Sequence, residues 1–104
     1  MAEQTQVTDV RNNEDESRFE VRTGDDIAFL EYDLDDEKIY FTHTEVPPAF
    51  EGKGIGKALA VAALEFARNE NLEVVPRCRF VASFIKKNPE YLELVPESSR
   101  SLVA

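Results

Sequence analysis

The stretch from Lys38 to Asn69 constrains this chain more than any other. Lys38 to Thr44 is rich in aromatic and β-branched residues, as a strand requires. Val46-Pro47-Pro48-Ala49-Phe50-Glu51-Gly52-Lys53-Gly54-Ile55-Gly56-Lys57-Ala58-Leu59 then turns through glycines into an uninterrupted apolar helix, Ile55 to about Asn69. In that helix Leu59, Ala62, Ala63, Phe66 and Ala67 share one face, which Val61 and Leu64 widen, so it packs on a sheet. A strand, a glycine-rich turn and a helix start together form an anion site. Glycines allow close backbone approach, and the first helical N–H groups have no internal partner. The helix dipole favours negative charge at the same end, and Lys53 and Lys57 reinforce it.

Spacing narrows the ligand. A Walker A loop places four residues between its glycines and a Ser or Thr after the Lys. Gly52 and Gly56 enclose three, and Ala58 stands in the hydroxyl position. The dinucleotide fingerprint G-x-G-x-x-G is not met by G-x-G-x-G, and Glu73 begins the next apolar run instead of ending it.

The flanking elements define an α+β domain. Arg18 to Arg22 and Ile27 to Asp33 read as strands, and with Lys38 to Thr44 they form an antiparallel meander whose turn is Leu34-Asp35-Asp36-Glu37. Leu72 to Pro76 follows the helix as a parallel strand, and Phe80 to Lys87 forms a second helix stopped by Asn88-Pro89. A mixed antiparallel/parallel sheet with a βαβα C-terminal half results. Residues 1–16 are polar and without periodicity, so a disordered acidic tail is expected there, with one domain over 17–96 and a C-terminal tail over 97–104.

Glu51-Gly52-Lys53-Gly54-Ile55-Gly56 resembles the acetyl-CoA motif Q/R-x-x-G-x-G/A of the GNAT acetyltransferases. His43-Thr44-Glu45-Val46-Pro47-Pro48 and the run from Pro76 through Cys78, Phe84 and Asn88 to Tyr91 extend the likeness to small stand-alone, YjdJ-type GNAT-like proteins, over roughly Arg18 to Val95. Glu51 replaces the usual Gln or Arg, and Phe84 stands where many members carry a Tyr. The resemblance implies a minimal GNAT-like fold in which acetyl-CoA enters between two splayed strands. Main-chain groups at Glu45 and Val46 would bond the pantetheine. The segment Glu51, Gly52, Lys53, Gly54, Ile55, Gly56, Lys57 and Ala58 would hold the pyrophosphate. It implies an N-acetyltransferase whose acceptor is a small-molecule or protein amine. A CoA-binding protein with little turnover, and an interaction module that binds no CoA, remain open.

Three residues are candidates for the chemistry. Cys78 falls between the parallel strand and the second helix, where a helix start and Arg77 and Arg79 would lower a thiol from about 8.5 toward neutrality; a buried free Cys is otherwise a small hydrophobe. Glu45 would serve as general base, with His43 on the same strand face. Tyr91 is a weaker candidate for the missing acid, and core packing suits it better.

Charge agrees with a single phosphorylated ligand. The formal net charge is −9, yet residues 46–104 carry seven acids and eight bases, so the glycine motif lies in the less acidic half. There is no basic stripe for nucleic acid. One Cys and one His cannot build a disulfide framework or a zinc site, and no apolar run is long enough for a membrane span. A cytoplasmic protein is expected.

Overall fold

The computed structural model describes residues 9–104. Their strands form one sheet in the order β1 (Arg11–Asn13), β2 (Arg18–Thr23), β3 (Asp26–Leu34), β4 (Lys38–Glu45), β5 (Glu73–Pro76). Neighbours pair antiparallel except β4 and β5, which run parallel through the crossover helix α1 (Ile55–Asn69). A second helix, α2 (Arg79–Lys87), and 3-10 turns at Pro48–Phe50, Pro89–Leu94 and Glu97–Leu102 complete the chain. This is the mixed-sheet α+β domain expected from the sequence.

The core lies between α1 and one face of the sheet. Leu59, Ala63, Leu64 and Ala67 are fully buried, in one cluster with Phe19, Leu30, Tyr32, Ile39, Phe41 and Val74. Phe66 meets Phe19 edge-on at 5.6 Å and stacks on Tyr32 at 6.5 Å. Each fully buried Leu contributes roughly 1.5–3 kcal/mol. Val81 and Ile85 of α2 join the same core, whereas Phe80 is 39% exposed.

The expected tails are shorter than composition implied. Residues 1–8 lie outside the described residues, but Arg11–Asn13 is a paired strand. Its polar side chains order because they meet polar groups of the sheet. Tyr32 donates its hydroxyl to Asn12 Oδ1 at 2.7 Å, and Asn13 Nδ2 donates to Glu20 Oε1 at 3.3 Å. At the other end Glu97–Leu102 is a 3-10 turn, Val103 is buried, and Arg100 Nε donates to Val95 O at 2.7 Å. One buried valine and one capped carbonyl hold a segment whose polar composition suggested a tail.

Glu20 points away from α1 and is 1% exposed. Burial alone would raise its carboxyl, but hydrogen bonds from Arg18 (2.9 Å), Arg22 (3.1 Å) and Asn13 outweigh burial and hold it below the ordinary 4.5.

One irregularity decides the site. Glu31 pairs with His43, but Tyr32 pairs with Phe41, so Thr42 is an extra residue in β4. The bulge reverses the alternation. Thr44, opposite buried Leu30, shares the helix-side face with Phe41, while His43 and Glu45 lie on the opposite face with Glu31 and Phe29.

Candidate active site

β4 and β5 part company at their C-terminal ends. Their pairing stops at Phe41 and Pro76, where Arg77 N–H turns back to Val75 O at 3.0 Å instead of continuing the ladder. The last link is Cys78 N–H to Phe41 O at 2.8 Å. From Thr42 to Glu45 β4 is paired only to β3, and among the described residues its other edge has no backbone partner.

That open edge leads through Pro47 and the Pro48–Phe50 turn to the glycines. Gly52 (φ +77°) and Gly54 (φ +70°) are left-handed, a conformation that strains residues with a Cβ. Gly54 is the N-cap of α1 and has no capping side chain; its carbonyl accepts from Ala58 N–H at 3.0 Å. Among the described residues the N–H groups of Gly52, Gly54, Ile55, Gly56 and Lys57 donate to no protein acceptor. Glu51 and Lys53 are exposed on the same turn, and Lys57 is exposed one residue into α1 beyond Gly56.

Gly56 is explained by a neighbour. A Cβ there would lie 2.8 Å from Phe80 Cζ, whereas a Cβ at Gly54 would meet nothing within 4 Å. The small residue in the first turn of α1 is what lets the ring of α2 approach.

Cys78 is the N-cap of α2 and 8% exposed. Its Sγ lies 3.1 Å from Thr44 Oγ1, across the gap where the strands part. Arg77 does not turn toward the thiol: its guanidinium stacks 5.1 Å over the Tyr40 ring. His43 Nε2 and Glu45 Oε2 are 3.4 Å apart and both well exposed. The three catalytic candidates therefore form two groups on opposite sides of one strand end, Cys78 with Thr44 and His43 with Glu45.

Tyr91 is committed elsewhere. Its hydroxyl donates to Glu65 Oε2 at 3.1 Å, and Arg68 lies 5.6 Å over its ring while bonding Glu93 at 2.6 Å. Burial, then the bond to Glu65, push the phenol above its ordinary range. Phe84 packs 6.0 Å from Tyr91.

Sequence reasoning missed Thr44 and the approach of Phe80 to Gly56. Simple alternation places Thr44 with Tyr40 and away from Phe41, and only the bulge brings it to Cys78. The spacing of Phe80 within α2 carried no sign of a partner at Gly56.

Comparison with known proteins gives the same frame. Residues 18–94 match the family model for a GCN5-related N-acetyl-transferase. The chain is 38% identical over 89 residues to "Protein NATD1" of Xenopus tropicalis, covering 81% of this chain and 82% of that one. With the Mus musculus protein of the same name it shares 38% over 89 residues, 81% of each. With the Bos taurus protein identity is 44% over 71 residues, 65% of this chain and 63% of that protein's length.

Proposed function

Because the chain belongs to the GCN5-related N-acetyltransferase family, we propose that it transfers acetyl from acetyl-CoA to an amine. The Cys78-to-Tyr91 run favours the small YjdJ-type group within that family. The observation that carries the reading is a pair of open backbone stretches, the unpaired β4 edge at Thr42–Glu45 and the free N–H groups at Gly52, Gly54, Ile55, Gly56 and Lys57, joined by one proline-containing turn. Such a pair suits a ligand with amides at one end and phosphates at the other. Main-chain groups near Glu45 and Val46 bond the pantetheine amides. The turn and first residues of α1, Glu51 to Ala58, bind the pyrophosphate, with Lys53 and Lys57 adding charge.

The thioester then lies at the strand ends. Thr44 and Cys78 line it on the helix side, and the acceptor arrives from the face carrying His43 and Glu45. The amine lone pair attacks the thioester carbonyl and the C–S bond breaks. The amine proton passes to the His43–Glu45 pair, and the departing thiolate is protonated by solvent. The acceptor is a small-molecule or protein amine. The free thiol suits a reducing compartment, in keeping with a cytoplasmic protein.

The Thr44–Cys78 contact supports a second route, in which Cys78 Sγ takes the acetyl group, releases CoA and passes the acetyl to the amine. Phe84, which has no hydroxyl to offer, supports a binding protein with little turnover. Titration calorimetry with CoA, followed by acetyl-CoA turnover on a panel of amines and intact-mass measurement, separates these. Binding and turnover without an adduct are expected. An acetyl adduct that Cys78→Ala abolishes selects the covalent route, binding alone selects the passive protein, and no binding defeats the assignment.

A further inference from the structure

Glu20 is a buried carboxylate that the chemistry above does not use, and it lies on the face of the sheet away from α1. Both helices bury their apolar residues in the core on the other face. What holds Glu20 is its own neighbourhood, with Arg18 Nε at 2.9 Å, Arg22 Nε at 3.1 Å and Asn13 Nδ2 at 3.3 Å. The guanidinium of Arg18, anchored on Glu20 through Nε, reaches 5.0 Å over the Phe29 ring. Phe29 in turn lies 6.0 Å from the His43 imidazole, tilted by 56°. In the strand register Phe29 is opposite Glu45 and diagonal to His43, so its ring flanks both members of that pair.

His43 is 53% exposed, and an imidazole that free has several staggered orientations open to it. A base works only from the orientation that brings its lone pair within hydrogen-bond reach of the amine. Glu45 is 61% exposed and too loose to select that orientation alone. Half-buried Phe29 supplies the fixed wall that Glu45 lacks. We propose that Phe29 is a positioning residue for His43, and that Glu20 keeps Phe29 in place by holding Arg18 flat across its ring. The proposal rests on the direct-transfer reading above and carries it inward from the exposed pair to the buried carboxylate. A planar guanidinium can bond through its edge and still lie on a phenyl face, which the compact ammonium of a lysine cannot do. Arg22 bonds the other oxygen of Glu20, but among the described residues it stacks on no ring.

His43 is the only histidine, so its two ring C–H signals in the proton NMR spectrum of the full chain are unambiguous. Wild type is expected to show nuclear Overhauser cross-peaks between those protons and the Phe29 ring. Arg18→Gln should lose most of their intensity, and so should Arg18→Lys, which keeps a charge beside Glu20 and so protects the fold. Arg22→Gln removes a partner of Glu20 but no ring contact, and should keep them. In kinetics with acetyl-CoA and benzylamine as the probe amine, Phe29→Leu should lower kcat about ten-fold and leave the KM for acetyl-CoA unchanged. Phe29→Tyr keeps the ring and should keep the rate. In a His43→Ala background Phe29→Leu should cost nothing further, because the two act as one unit. Absence of the cross-peaks in wild type, or their survival in both Arg18 variants, overturns the proposal. So does a ten-fold loss that persists in the His43→Ala background, which would make Phe29 a structural residue. If the cross-peaks behave as expected but wild type acetylates no amine, the acetyl-transfer reading falls and the positioning of the ring stands.

Discussion

The chain makes two strand-to-helix junctions at the C-terminal ends of two neighbouring parallel strands, and they are built in opposite ways. Between β4 and α1 the chain takes nine residues, turns left-handed at Gly52 and Gly54, and leaves the N–H groups of both glycines free. Between β5 and α2 it takes two, Arg77 and Cys78, and the Cys78 N–H is spent on Phe41. The first junction offers backbone and the second offers a side chain. A long glycine turn recognises the charge and shape of a ligand, while a short junction holds one atom, Cys78 Sγ, in a fixed place.

The comparison breaks most directly at Gly56, where the two junctions touch. A side chain there displaces Phe80 or projects onto the free N–H groups, and either outcome spoils the first junction. Gly56→Val is expected to weaken CoA binding by about 100-fold, some 2.8 kcal/mol. The fold should survive, because Phe80 is half-exposed and free to swing. Equal calorimetric affinity for wild type and variant would show that the first junction is not the anion site.

Sharpening the comparison needs a region that supports the fold without touching either junction. Glu20 supplies one. Glu20→Ala leaves Arg18 and Asn13 without their buried acceptor, and because Arg18 is only partly buried and Arg22 is exposed the loss is that of charged hydrogen bonds, about 1.5–3 kcal/mol. The melting temperature should fall by several degrees or more, since each kcal/mol is worth roughly 4–8 °C in a domain of this size. The same residue sets a pH dependence. Its folded-state carboxyl sits below 4.5, so its contribution is complete above about pH 5 and is lost as pH falls through the depressed value. Thermal melts of wild type from pH 7 to pH 3 should show that decline, and Glu20→Gln should flatten it. Deleting residues 1–16 removes Asn12 and Asn13 and should cost several degrees, whereas deleting only 1–8 bears on residues outside the described structure.

The two sides of the β4 end respond differently to truncation of their side chains. If transfer is direct, His43→Ala lowers kcat by about 10²-fold, the smaller end of what a positioned base supplies. Cys78→Ala then stays within a few-fold, as expected for a thiol that lines the site without taking the acetyl group. The reverse ordering in steady-state kinetics would move the chemistry from the open face to the Thr44–Cys78 side.

How much of this was legible beforehand depends on the kind of physics involved. The meander from Arg18 to Thr44, the parallel strand after it, α1 from Ile55 to Asn69 and the free helix start follow from local periodicity and glycine placement, and the sequence carries both. The pairing of Thr44 with Cys78 does not. Nothing in Tyr40-Phe41-Thr42-His43-Thr44 marks Thr42 as the extra residue, because a bulge is set by how β4 meets β3. The order at Arg11–Asn13 escaped for a related reason. Composition measures apolar burial, and this strand is held by a tyrosine hydroxyl and a buried carboxylate 20 and 7 residues away. Gly56 was read as clearance for a ligand, and the structure adds clearance for Phe80.

The smallest effects belong to the lysines of the first junction. Lys53 and Lys57 are exposed, and neither forms an ion pair among the described residues, so each acts on a bound pyrophosphate through solvent. Lys53→Ala and Lys57→Ala should each weaken CoA binding by about two- to five-fold at low salt, the range of an exposed pair. Screening over about 10 Å at 0.1 M should erase most of that difference. The Gly56→Val defect is steric and should persist at every ionic strength. Calorimetry across a salt series therefore separates the backbone's share of recognition from the side chains' share. A lysine effect that survives high salt would mean direct, desolvated contact with the phosphates, and the first junction would then recognise its ligand by side chains as well as by backbone.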